Sequence, residues 1–163
     1  MKYFFIATNF NNSHHTVNYI KNVNNLELPD DATKHVIIVD NMSDESLDSI
    51  KDCIQKVKSS GCDVRLLINS SNSGYFKGLN IGVNSITSKE DCTVIVGNND
   101  LLFDDDFILK LDSIKLKNHD FCIAPNVYLS SGKKQNPHVL NRPSKKDIKL
   151  LELYYKNYYF GQL

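Results

Sequence analysis

His35-Val36-Ile37-Ile38-Val39-Asp40-Asn41-Met42-Ser43 decides the fold. Val36 to Val39 run apolar without the polar alternation of a half-exposed strand, so the segment reads as a strand buried on both faces. It then stops at once in Asp, Asn and Ser, the residues that turns and helix starts use. Runs of the same kind stand at Tyr3 to Ala7, Val64 to Ile68, Cys92 to Val96 and Phe121 to Ala124. The stretches between them carry helical spacing: Val17, Ile20 and Val23; Leu47, Ile50, Ile54 and Val57; Leu79, Val83 and Ile86; Phe107, Ile108, Leu111 and Ile114. Ser13 and Ser43 are placed to cap the first two helices, and Asp104, Asp105 and Asp106 put negative charge where the fourth opens. Strands alternating with amphipathic helices predict an α/β domain with a mostly parallel sheet and helices on both faces.

The character changes near Tyr128. Ser130-Ser131-Gly132-Lys133-Lys134 reads as a turn, and Asn136-Pro137 and Arg142-Pro143 as breakers. Ser144 followed by Asp147 resembles a capping box and predicts a C-terminal helix to about Phe160, rich in tyrosine. The expected division is therefore a core over residues 1–128 and an irregular connection with an aromatic helix over 129–163.

Composition narrows the function. The 163 residues balance 19 Lys plus Arg against 19 Asp plus Glu, so no net field draws the chain to nucleic acid. No apolar run reaches the ~18 residues that span a bilayer, so the chain is not expected to be integral to a membrane. Cys53, Cys62, Cys92 and Cys122 form no C-x-x-C pair and have no histidine at ligand spacing. They read as reduced packing residues, which points to the cytosol. His14 and His15 are adjacent, hence expected to point apart on a helix as a solvated helix start.

Ligands of open α/β sheets bind beyond the carboxyl ends of the strands. Here those ends are polar: Thr8-Asn9-Phe10-Asn11, Asp40-Asn41-Met42-Ser43, Asn69 to Gly74, and Gly97-Asn98-Asn99-Asp100. Gly74, Gly78 and Gly82 are spaced four apart, so there is no G-x-G-x-x-G fingerprint. P-loop and G-x-S-x-G motifs are also missing, which removes the P-loop nucleotidase and α/β-hydrolase readings.

Taken together, the four loops resemble the inverting glycosyltransferases of family 2, built on the Rossmann-like GT-A fold. Thr8-Asn9-Phe10-Asn11 is similar to the family's T-x-[YF]-N turn and Val39-Asp40-Asn41-Met42-Ser43 to its V-D-N-x-S segment. Asn72-Ser73-Gly74-Tyr75-Phe76-Lys77-Gly78-Leu79-Asn80-Ile81-Gly82 resembles N-x-G-[FY]-x-x-G-x-N-x-G, the most specific of the four. Asn98-Asn99-Asp100 stands where the family carries its D-x-D or N-N-D metal motif, and Ala124 to Tyr128 looks like the strand that follows in rhamnosyltransferase-like members.

The resemblance implies a nucleotide-sugar donor, UDP- or dTDP-linked, and a glycan or lipid-linked acceptor in cell-surface polysaccharide synthesis. It also implies a cytoplasmic protein, peripheral at most to the inner face of the membrane. Asp40 is then expected to accept a bond from a pyrimidine imide, and Thr8 to meet a base carbonyl. Asn9, Asn72, Asn80 and Asn99 are expected at the donor, whereas the part of Asn41 is not separable from turn formation. Gly74 and Gly78 would let the backbone approach the diphosphate. Lys77 is either a phosphate contact or a solvated lysine. Asp100 and Asn98 would hold Mg²⁺ or Mn²⁺, weakly without the donor's phosphates because Asn98 brings no charge.

The family's general base comes from an E-D pair in a later segment, and none follows the metal motif before Leu163. The expectation is a chain whose acceptor half is missing and whose base is not assigned, able to bind donor and poor at transfer. The alternative is a non-catalytic nucleotide-sugar-binding or scaffold domain working with a partner.

Overall fold

A computed structural model describes residues 1–88, 90–114, 122–135, 144–146 and 148–149. Two compact units divide the chain, Met1–Lys115 and Leu116–Leu163. The break expected after residue 128 thus falls inside the second unit.

In the first unit the chain runs β1 (Lys2–Asn9), α1 (Ser13–Asn25), β2 (Thr33–Asp40), α2 (Asp48–Lys58), β3 (Asp63–Ile68), α3 (Tyr75–Asn84), β4 (Cys92–Asn98) and α4 (Phe107–Asp112). Its four strands pair in parallel in the order β3-β2-β1-β4. Side chains of β1 alternate between two cores. Tyr3, Phe5 and Ala7 pack with Val36 and Ile38 of β2 against α1 and α2, whereas Phe4 and Ile6 join Ile37 and Val39 against Leu79 of α3. With both faces covered, Tyr3 to Ala7 of β1 and Val36 to Val39 of β2 are apolar at every position, which is why these runs lack alternation.

Register aligns the strand ends. Asn9 pairs with Asp40, Asp40 with Ile68, and Thr8 with Asn98. The first two crossovers build outward from β1 on one side, and the third returns to lay β4 on the other. The order therefore reverses between β1 and β4, the place where open α/β sheets hold ligands.

Several local expectations change. Ser13 does not cap α1; it is the first helical residue, and its N–H and hydroxyl both donate to Glu45 Oε1 at 2.6 and 2.7 Å. A carboxylate from the loop after β2 thus supplies the negative charge that a helix N-terminus favours. Ser43 caps no helix either, since α2 starts later and Ser43 is bonded to Asp40. At the other end of α1, Lys34 of β2 reaches back to the carbonyls of Asn24 and Leu26 at 2.6 and 2.7 Å. The rings of His14 and His15 do not point apart, since their centroids are 4.2 Å apart. Of the four free cysteines Cys53 and Cys62 are buried, Cys92 is half-buried and Cys122 is exposed, so Cys122 is not a packing residue.

In the second unit the predicted turn is present. Tyr128 bridges Lys134 in antiparallel fashion around Gly132, whose φ is 78°. Cys122 to Ala124, expected as a strand, carry no ladder among the described residues, and Phe121 lies outside them. Helical turns follow Ser144 as expected, at residues 145–146 and 148–149, with Ile148 N–H donating to the Ser144 carbonyl at 3.0 Å. Its aromatic stretch lies outside the described residues.

Candidate functional site

The loops after the four strands are joined by side-chain amides and hydroxyls. Asp40 is 1% exposed, and its Oδ1 accepts from Asn9 Nδ2 at 2.8 Å and from Ser43 Oγ at 2.6 Å. Its Oδ2 accepts from Ser43 N–H at 3.0 Å, closing a side-chain-to-backbone turn in which Met42 takes a φ of 64°. Asn9 is fully buried, with its other end accepting from Thr16 Oγ1 at 2.8 Å. Both residues were expected at the ligand, and the structure places them beneath the surface instead. The imide contact expected of Asp40 has no open path in this arrangement.

Asn41 is the second organiser. Its Nδ2 donates to Asn72 Oδ1 at 3.1 Å and to the Gly74 carbonyl at 3.2 Å, while its Oδ1 accepts from Asn69 Nδ2 at 3.1 Å and from Ser73 N–H at 3.2 Å. One amide at the tip of β2 thereby shapes the whole loop that enters α3. Gly74 has a φ of 82°, a conformation open to glycine at little cost, and nothing stands near its missing side chain.

Gly78 has a packing role. A Cβ there would meet Thr8 Cγ2 at 2.6 Å, and one at Gly82 would collide with Ile6 Cγ2. The four-residue spacing of these glycines puts both on one helix face, which lets α3 lie close on β1. Lys77 and Asn80 are exposed on α3 and are not among the residues that line the cleft between β1 and β4.

A cleft of about 380 Å³ opens at the switch point between β1 and β4. Thr8 and Asn98 meet at its base, Asn41 and Asn72 form one wall, and Asn99 closes the β4 side. Phe10 and Tyr75, the aromatic positions of two of the quoted motifs to which no role was assigned, also line it. Phe10 is 48% and Tyr75 38% exposed, so both rings keep part of their surface open toward the cleft. The signal was available in the sequence as aromatic residues set directly in the polar loops. Asn12 is a further lining residue that was not expected.

Asp100 lies on the neighbouring groove of about 420 Å³, with His15, Asn18 and Lys21 of α1, and Asn99 borders both spaces. Its carboxylate is exposed and makes no hydrogen bond or ion pair with another described residue. Burial, then the charge of Asp100, push the Tyr75 phenol above its usual range, so this carboxylate is felt inside the cleft. No group of three or more His, Cys, Asp or Glu stands together among the described residues. The oxygen donors present, one carboxylate and the Asn98 and Asn99 amides, fit a hard cation such as Mg²⁺ or Mn²⁺ shared with a ligand's phosphates, and do not fit a site held by protein alone.

The model of the family described as glycosyl transferase family 2 matches residues 5–162. The chain belongs to that family. Solved structures of S. aureus TarS 1-349 share the fold. One, without a named ligand, has a TM-score of 0.55 at 16% identity and covers 69% of this chain and 32% of its own. A complex with UDP-GlcNAc gives 0.57 at 15%, covering 69% and 30%, and a complex with UDP gives 0.55 at 14%, covering 82% and 43%. This family 2 chain thus spans less than half the length of those TarS chains. No curated protein matches it in sequence. Among its described residues no helix is long and apolar enough to cross a membrane.

Proposed function

We propose that this family 2 domain binds a UDP- or dTDP-sugar in the β1/β4 cleft, as the donor half of an inverting glycosyltransferase. The acceptor in this reading is a glycan or lipid-linked sugar of a cell-surface polysaccharide, and the protein works in the cytoplasm or at the membrane's inner face. One observation carries the proposal: the cleft at the switch point is lined by Phe10 and Tyr75 together with the amides of Asn41, Asn72, Asn98 and Asn99, and the exposed carboxylate of Asp100 lies on the adjoining groove. The complexes of TarS with UDP-GlcNAc and UDP support the ligand class.

Each group then has a task. The rings of Phe10 and Tyr75 offer faces to the base, and Thr8 and Asn72 offer polar partners to its edge or to the ribose. Asp100, with an amide oxygen of Asn98 or Asn99, would hold Mg²⁺ or Mn²⁺. A divalent cation there supplies Lewis-acid stabilisation of the diphosphate leaving group. Asp40 and Asn9 serve by holding the loops, and Lys77 and Asn80 have no part in the cleft.

Thermal shift and calorimetry with UDP, dTDP and GDP, each with and without Mn²⁺, test this. The pyrimidine diphosphates should raise the melting temperature with Mn²⁺ and far less without it, and Asp100→Ala should remove the difference. Equal stabilisation by GDP, or none by any nucleotide, would overturn the reading.

A further inference from the structure

Asn99, at the β4 side of the cleft, is tied through the interior to Asp40 at the end of β2 by a chain of hydrogen bonds. Asn99 Nδ2 donates to Thr16 Oγ1 at 2.8 Å. Thr16 Oγ1 donates to Asn9 Oδ1 at 2.8 Å, and Asn9 Nδ2 donates to Asp40 Oδ1 at 2.8 Å. Thr16 on α1 is fully buried, as is Asn9, and Asp40 is 1% exposed. No family motif quoted above includes Thr16.

The direction of this chain is forced from its buried end. An Asp carboxylate only accepts, so Asn9 must turn its NH₂ group to Asp40 and its oxygen to Thr16. The Thr16 hydroxyl has one proton, which that oxygen takes. Only a lone pair is then left for Asn99, whose NH₂ group must therefore point inward. The Asn99 carbonyl oxygen is left as the polar end available to the cleft, beside the Asp100 carboxylate.

We propose that Thr16 is a positioning residue that fixes the Asn99 amide with its oxygen toward the cleft, where it accepts a bond from an O–H of the ligand. This rests on the donor reading above. The O–H belongs either to the ribose of the nucleotide or to water on the bound cation, and both present the same donor.

The test compares the wild type with Thr16→Val, which keeps shape and loses the hydroxyl, and Thr16→Ser, which keeps the hydroxyl. UDP affinity is measured by calorimetry with and without Mn²⁺, and the Asn99 side-chain amide is followed by NMR. In Thr16→Val the Asn99 amide signals should move and UDP binding should weaken by up to roughly tenfold, as loss of one hydrogen bond implies. Thr16→Ser should keep both near wild type. Weakening in both titrations assigns the O–H to ribose, and weakening with Mn²⁺ alone assigns it to cation-bound water; either supports the proposal.

A folded Thr16→Val with wild-type affinity, or Thr16→Ser as weak as Thr16→Val, overturns it. Should Thr16→Val fail to fold, hydrogen exchange in the wild type decides. The Asn99 side-chain amide should exchange more slowly than that of exposed Asn80, and equal exchange overturns the chain. Failure of the wild type to bind UDP overturns the donor reading and this role with it, whereas wild-type binding beside an indifferent Thr16→Val overturns this role alone.

Discussion

Asp40 shows how far a single residue can be read from sequence. Its place at the tip of a buried run was legible, because hydrophobic pattern fixes where a strand ends. Its neighbours were not, because Asn9 and Ser43 reach it from 31 and 3 positions away and nothing local selects one partner over another. The burial changes the expected effect of mutation. Asp40→Ala leaves Asn9 Nδ2 with Ser43 Oγ at 3.1 Å as its remaining partner and removes the acceptor of the Ser43 N–H. A loss of about 1–3 kcal/mol in stability is expected together with weaker UDP binding, because the loop floor is what carries the cleft. Chemical denaturation beside calorimetry checks this. Undiminished stability with lost affinity would mean that Asp40 touches the nucleotide directly. Gly78 illustrates the same limit from the other side, since its motif position suggested a ligand while its actual neighbour is Thr8.

At the level of elements, the strands and helices of the first unit follow the periodicity of their apolar residues, because burial against the sheet sets both. The caps do not follow local sequence, since α1 takes its capping carboxylate from Glu45 and its C-terminal cation from Lys34, both brought in by tertiary structure. The sequence offered Ser13 as the cap, the residue that in fact receives the carboxylate. Glu45→Ala should therefore cost about 0.5–2 kcal/mol, the range of a lost N-terminal cap. Glu45→Gln should cost less, because an amide oxygen still accepts from Ser13 while the charge facing the helix dipole is gone. Denaturant midpoints of the two variants measure the difference, and equal midpoints would show that charge contributes nothing at this end. The same loop borders the cleft through Asn41, so the cap steadies the start of α1, just after the cleft residues Phe10 and Asn12.

Across the whole first unit, alkaline pH should be destabilising. Burial, and then a hydrogen bond to Asp112, push the Tyr3 hydroxyl from 10.0 to about 12, and burial pushes the Cys62 thiol from 9.0 to about 11. Each group is neutral in the fold where the unfolded chain would release its proton, so stability is complete below the lower value and falls as pH rises through the upper one. Lys34 acts in the opposite sense, since burial lowers its ammonium. Stability should decline between about pH 9 and 12, and Cys62→Ala should flatten the earlier part of that fall, as pH-dependent denaturation would show.

The same unit carries the last expectation. Every described residue placed at the cleft, in the loop network or in the two cores lies within Met1–Lys115. A protein ending at residue 115 should therefore unfold cooperatively and bind UDP with Mn²⁺ as tightly as the 163-residue chain. Among the described residues, each strand end that shapes the cleft is fixed by pairing inside the four-stranded sheet of the first unit. Calorimetry on both lengths is the measurement. A shortened chain that folds and loses UDP would move part of the binding surface into residues 116–163, and one that does not fold would show that the sheet depends on them.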